Sequence, residues 1–285
     1  MSAFSILAIA SGRPDDAAAL AIAADFAKRH ASAVTVVNAY ESLTSVMAPM
    51  YAGAAVDRAA WRTLSEGGEA ARQAIDAEVR RQAERFGLGT EPGDGAAIVV
   101  APPGATAWDG LMRELPLADI VVVGHSTASI GGSFAGPFGE ALMEAKAAVF
   151  VARNDAPPAG RPAAVAWDGS LQAARAVRAA IPLLKDASRV AILQDPDELM
   201  LSPGAQGDPA RLARYLQAHG VATDAMVKVG GRNVGQALLK AAADVGAAML
   251  VAGAYGHSRL GEALFGGATR TMLGAETGPH LIVSH

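Results

Sequence analysis

Ala163-Ala164-Val165-Ala166-Trp167-Asp168-Gly169-Ser170 is the stretch on which the reading of this chain turns. A short apolar run ends in an aspartate, a glycine and a serine. An alanine-rich segment of helical period follows at 170–184, then a second apolar run at 189–193. Short unbroken apolar runs suit strands buried on both faces, and the alanine-rich segment suits the helix that crosses from one parallel strand to the next. The strand expected here is 163–167. The same alternation continues with strands at 223–229, 248–252 and 280–284 and helices at 209–219, 235–245 and 268–275.

Upstream the pattern repeats. Strands are expected at 6–10, 33–38, 97–100, 120–123 and 148–152, and helices at 15–30, 57–86, 105–115 and 138–145. The long helix carries Gly67-Gly68, each costing about 1 kcal/mol relative to alanine, so two helices are the alternative there. A Pro- and Gly-rich linker, 154–162, separates the halves, giving domains 1–153 and 163–285. The spacing supports duplication: Ser11 to Ser32 is 21 residues and Asp168 to Ser188 is 20, whereas Ser11 to Gly124 is 113 and Asp168 to Gly253 is 85. The extra 28 residues fall within 40–86. The fold class expected is α/β, with two tandem, doubly wound, five-stranded parallel-sheet domains related by a pseudo-two-fold.

Composition narrows the functions available. At 285 residues the chain is long enough for two domains of ordinary size without a staple. The absence of cysteine removes thiol catalysis, cysteine zinc sites and disulfides, and points to a reducing compartment. Lys plus Arg is 24 against Asp plus Glu 28, and this net charge of −4 argues against nucleic acid as the main partner. The apolar runs at 120–124 and 247–253 fall far short of the roughly 18–20 residues that span a bilayer, so no membrane partner is expected. With no secretory signal at the start, a cytoplasmic protein is expected.

The ninth strand opens the most informative loop. It contains Gly253, Gly256 and Gly266-Gly267 and runs directly into a helix. Glycines there let the backbone approach an anion, while the first N–H groups of the helix, at Gly267, Ala268 and Thr269, point toward it. On the residues alone two readings stand: a phosphate cradle, or a turn-rich surface loop. Asp168 likewise reads either as a ligand contact or as part of the cap of the helix that follows.

The spacing G-x2-G-x9-G at Gly253, Gly256 and Gly266 resembles the signature of the ATP-binding universal stress protein family, and Ala164 to Ser170 is similar to that family's opening strand and its aspartate. The resemblance covers almost the whole chain as tandem domains of the adenine nucleotide alpha hydrolase-like fold. It implies a stress-response protein that binds ATP, with or without Mg²⁺, in the second domain only. The residues implied are Ala166, Trp167 and Asp168 at the adenosine end, with Ala252, Gly253, Tyr255, Gly256, His257, Gly266, Gly267, Ala268 and Thr269 around the phosphates and ribose. One departure stands out: Gly267 replaces the family's Ser or Thr, leaving Thr269 as the nearest hydroxyl. The first half is degenerate, with Ser11 in place of Asp168, Gly124-His125-Ser126-Thr127 in place of Gly253-Ala254-Tyr255-Gly256, and Pro137 where a glycine is expected. The resemblance also implies pairing of the domains through their last strands, 280–284 against 148–152, with a homodimer of chains possible.

Other motifs are weak. None of Lys28, Lys146, Lys185, Lys228 or Lys240 follows a glycine, so no phosphate loop of the G-x4-G-K type exists. The six histidines show no metal-ligand spacing and read as surface or loop residues, and no serine sits in G-x-S-x-G. Tyr255 and Arg259 read equally as nucleotide contacts or solvated loop residues. Arg72 to Arg85 interleaves with Asp76, Glu78 and Glu84 as a solvated helix face. Residues 230–235 lack dinucleotide spacing and read as a turn into a helix. With no base beside the glycine loop except His257, the expectation is a nucleotide binder with no catalytic residues and at most slow ATP hydrolysis. The rival is a scaffold that binds no nucleotide, and a nucleotide-using transferase is a third reading.

Overall fold

The alternation of apolar runs and alanine-rich segments is realised as a mostly parallel α/β structure. The computed structural model describes residues 4–39, 58–93, 95–102, 107–129, 137–196, 207–224, 226–254 and 267–285. Contacts divide the chain into two units, Met1–Gly124 and His125–His285.

In the first unit β1 (Ile6–Ala10) leads through a turn to α1 (Asp16–His30) and β2 (Ala33–Asn38). α2 (Arg58–Phe86), β3 (Ala97–Val100), α3 (Ala107–Glu114) with a 3₁₀ turn at Leu115–Leu117, and β4 (Ile120–Gly124) complete it. The sheet order is β3-β2-β1-β4, all parallel. Every residue of β1 and β4 is buried, as strands covered on both faces require. α2 runs unbroken through Gly67-Gly68, against the weak point expected there. Downstream of the glycines Ala71, Ile75, Val79 and Ala83 form a buried stripe four residues apart, so packing outweighs the local cost. Its outer face carries Arg72 paired with Glu69 at 2.6 Å and with Asp76 at 3.1 Å, and Arg81 paired with Glu78.

The second unit begins with α4 (His125–Ser129), α5 (Pro137–Gly139) continuing as a π-turn at Glu140–Glu144, and β5 (Val149–Ala152). Then come β6 (Ala163–Ala166), α6 (Leu171–Lys185), β7 (Val190–Gln194), α7 (Pro209–Ala218), β8 (Val227–Lys228), α8 (Val234–Asp244), β9 (Met249–Gly253), α9 (Gly267–Gly274) and β10 (His280–Ser284). Its parallel core has the order β10-β9-β6-β7-β8, and β5 adds to β10 antiparallel, Leu281 opposite Val151 and Val283 opposite Val149. That pairing explains why contacts assign residues 125–153 to this unit, while the proline-rich linker at 154–162 marks where the sequence repeat restarts.

Two expectations need correction. The strand expected at 223–229 is only Val227–Lys228 plus an isolated bridge from Thr223 to Val190. Asp224, a poor strand residue, donates its N–H to the Val190 carbonyl at 2.8 Å beside that bridge, and its side chain pairs with Arg189 at 3.1 Å. His280 is not a surface or loop residue: it is 1% exposed within β10. Its Nδ1 accepts the Arg153 N–H at 3.2 Å, so Nε2 carries the proton and donates to the Ala156 carbonyl at 3.0 Å. No helix among the described residues is long and apolar enough to cross a membrane.

Candidate functional site

In a sheet wound in both directions, ligands bind beyond the carboxyl ends of the two strands where the order reverses. In the second unit these are β6 and β9, in register from Ala163 opposite Met249 to Val165 opposite Val251. Ala166, Trp167 and Asp168 leave the first of them, and Ala252 and Gly253 end the second.

The turn after β6 is built by its own side chains. Gly169 takes φ of 76°, a left-handed conformation that strains any side-chain-bearing residue. The Ser170 N–H donates to Asp168 Oδ1 at 2.9 Å, and the Ala173 N–H donates to Ser170 Oγ at 3.1 Å. Ser170 is therefore the N-cap of α6, and Asp168 shapes the turn that presents it. Behind the turn, Gln194 at the end of β7 donates its amide to the Gly207 carbonyl at 2.5 Å and to the Trp167 carbonyl at 3.4 Å.

β9 ends hard against this cap. A Cβ on Gly253 would stand 2.6 Å from the Ala173 nitrogen and 3.0 Å from Gln172 Cβ, so only glycine lets the strand end meet the helix start. The next residue is clamped. Ala254 donates its N–H to the Ser284 carbonyl at 2.9 Å, and its own carbonyl lies 3.1 Å from His285 Nδ1. Arg175 on α6 holds His285 in turn, donating to its backbone oxygen at 2.8 Å.

The chain re-enters the described structure at α9. Gly267 is exposed, and a Cβ there would meet nothing within 4 Å, so the backbone at this helix start is open to approach. Its first N–H groups have no intrahelical partners, a setting that suits an anion. Thr269, the nearest hydroxyl in sequence, is only 4% exposed, and the Thr271 hydroxyl donates back to the Gly267 carbonyl at 2.9 Å. The helix start is fixed from behind by α8, where a Cβ on Gly235 would lie 2.6 Å from the Ala268 oxygen. Asn233 caps α8 by accepting the Gln236 N–H at 3.1 Å, so residues 230–235 are the turn into that helix.

Ala166, Trp167, Asp168, Ala252 and Gly253 thus gather at the ends of β6 and β9, and Gly267, Ala268 and Thr269 form the first turn of α9. Tyr255, Gly256, His257, Arg259 and Gly266 lie outside the described residues. Two residues at the same sheet edge escaped the sequence reading: Gln194 and Asp195 are 6% and 8% exposed. The signal was available as an apolar strand closed by two polar residues at its carboxyl end. No group of His, Asp or Glu that could hold a metal ion occurs among the described residues.

The first unit treats the corresponding turn differently. Asp16 is 3% exposed, and its Oδ2 accepts the N–H groups of Ser11 at 2.7 Å and Arg13 at 3.0 Å. Burial, with a smaller contribution from the neighbouring Asp15 charge, pushes its carboxyl above the usual aspartate range despite those bonds. α2 lies directly over the turn, since a Cβ on Gly12 would stand 2.7 Å from the Cα of Ala71. A carboxylate of the chain itself thus occupies the backbone donors, and a helix covers them.

Comparison with known proteins agrees with this picture. Residues 161–284 match the model of the universal stress protein family. A universal stress protein from Archaeoglobus fulgidus DSM 4304 superposes with a TM-score of 0.62 at 15% identity, over 98% of this chain and 95% of that one. A putative universal stress protein from Pseudomonas aeruginosa UCBPP-PA14 gives 0.50 at 12% identity, over 98% and 93%. A functionally unknown protein from Pseudomonas aeruginosa PAO1 gives 0.53 at 12% identity, over 99% and 92%. At these identities the likeness is one of fold, a mostly parallel α/β architecture. No curated protein matches the chain. Over residues 161–284, which carry the doubly wound sheet of the second unit and the glycine spacing after β9, the chain matches the universal stress protein family.

Proposed function

We propose that the chain is a stress-response protein that binds ATP or a related adenine nucleotide, at one site, in its second unit. The observation that carries this reading is the close approach of Gly253 to the capped start of α6, which sets the exit of β9 beside the Asp168 turn at the strand-order reversal. Ala166, Trp167 and Asp168 would receive the adenosine end. Ala252 and Gly253, with the glycines Gly256 and Gly266 and the open helix start at Gly267 and Ala268, would receive the phosphates through backbone N–H groups. These donors suit an anion whether or not Mg²⁺ accompanies it. Asp16 and α2 support the limit of one site, because they occupy the matching turn of the first unit. Asp168, the carboxylate at these strand ends, is engaged by the Ser170 N–H, which supports binding as the function with hydrolysis at most slow. The cytoplasm is the compartment that composition favours.

The rival reading, a scaffold without nucleotide, draws on one observation: Gly267 offers no hydroxyl and the Thr269 side chain is buried. Calorimetric titration with ATP and Mg²⁺, together with analysis of nucleotide co-purified with the protein, separates the two. About one ATP per chain, lost in Gly256→Val, is the expected result. No binding at millimolar ATP overturns the nucleotide reading in favour of the scaffold.

A further inference from the structure

Beside the turn after β6, on the side away from β9, a cavity of about 590 Å³ lies between α6 and α7. Its size falls within the roughly 300–1,000 Å³ of small-molecule sites. Its walls combine two kinds of surface. Trp167, Leu212 and Tyr215 give a flat apolar body, with Leu171 at 70% exposure beside them. Arg178 from α6 and Arg211 from α7 bring two exposed guanidinium groups, and no acidic side chain among the described residues lines the cavity.

The two arginines are not explained by the fold. Neither guanidinium has an ion pair or hydrogen bond among the described residues, whereas Arg72, Arg113 and Arg189 all pair with carboxylates. Arg211 stands in the first turn of α7, which begins at Pro209 behind the Asp208 cap and holds no acidic residue. A cation there opposes the helix dipole, so helix stability disfavours the position that Arg211 takes. Leu171 is similarly costly in water, being a large apolar side chain in the first turn of α6. Charge placed against the helix dipole, apolar surface left open and aromatic rings in one cavity agree on one kind of occupant.

We infer that this cavity binds a small aromatic carboxylate, its ring against Trp167 and Tyr215 and its anionic group between Arg178 and Arg211. A planar guanidinium offers two parallel N–H donors matched to a carboxylate, and aromatic side chains receive a flat ring. The cavity lies beside the proposed nucleotide site, whose ligand lies beyond the ends of β6 and β9; the two adjoin at Trp167 and the turn at Gly169 and Ser170.

The test is calorimetric titration of the full chain with 1-naphthoate, repeated with the neutral 1-naphthalenemethanol and with the Arg178→Gln/Arg211→Gln and Leu171→Glu variants. All three substituted side chains are exposed, so folding is preserved, and circular dichroism checks it. The expected result is one naphthoate per chain, at least tenfold weaker binding of the alcohol, and at least tenfold weaker naphthoate binding in both variants. No heat at millimolar naphthoate overturns the inference. So does equal affinity for the alcohol, or unchanged affinity in the double variant.

Discussion

The backbone nitrogen of Ala173 lies 2.6 Å from where a Cβ of residue 253 would be, so β9 and the first turn of α6 touch without an intervening side chain. Gly253→Ala forces one element to move. The expected cost is about 1–3 kcal/mol of stability, as for overpacked interiors. Because the displaced parts flank the proposed site, ATP affinity falls as well. Urea denaturation and nucleotide titration of the variant check both, and a variant as stable as the parent would contradict the contact.

Ser170 and Asp168 divide one task that the sequence left open between them. Ser170→Ala removes the bond to the Ala173 N–H and is expected to lower stability by about 1 kcal/mol, the usual cost of an N-cap. Asp168→Ala removes the bond to the Ser170 N–H, and under the proposed function it weakens nucleotide binding more than it weakens the fold. Comparing the unfolding midpoint with the ATP dissociation constant for each variant distinguishes the two roles.

Asp16 gives the first unit a pH dependence of unusual sign for an aspartate. Its folded pKa lies above the unfolded value, burial being the main cause, so the folded state holds its proton more tightly. Its contribution is fully present below the unfolded pKa of about 3.8 and is lost as pH rises through the folded pKa. The stability of the parent relative to Asp16→Asn therefore falls as pH is raised from about 4 toward neutrality. Denaturation of both proteins across that interval measures it, and a constant difference would refute the assignment.

His280 works in the opposite direction. Burial first, then the Arg153 and Arg161 charges, lower its folded pKa below 6.5 despite the bond to Ala156. The unfolded chain binds the extra proton, so stability is lost as pH falls from about 6.5 toward the folded pKa. Protonation also removes the acceptor that holds the Arg153 N–H. His280→Gln is expected to show a flatter profile between pH 7 and pH 5 by thermal denaturation.

Most of the fold was legible because its signals were redundant. Ile120 to Val123 could only be a buried strand: four β-branched residues stood between a polar approach and a glycine. Where the signal was local, tertiary packing overruled it. Gly67-Gly68 suggested a break in α2, but the buried stripe from Ala71 to Ala83 holds the helix straight through. The strand around Val227 shrank because an edge strand has one neighbour, and Asp224 is a poor strand residue. At the site, glycines announced themselves by spacing, which is why Gly253 and Gly267 were named. Gln194, Arg175 and His285 were not, since their roles rest on contacts across 13 to 110 residues of chain.

The antiparallel seam between Val149–Ala152 and His280–Ser284 bears on how this polypeptide can be dissected. A protease or an engineered truncation acting within 154–162 would cut at the most exposed-looking segment of the sequence, yet it would strip the second unit of its outermost strand. β10 would then present an open row of donors and acceptors, the kind of edge that recruits another copy of itself. A fragment starting at Ala163 is therefore expected to self-associate in gel filtration.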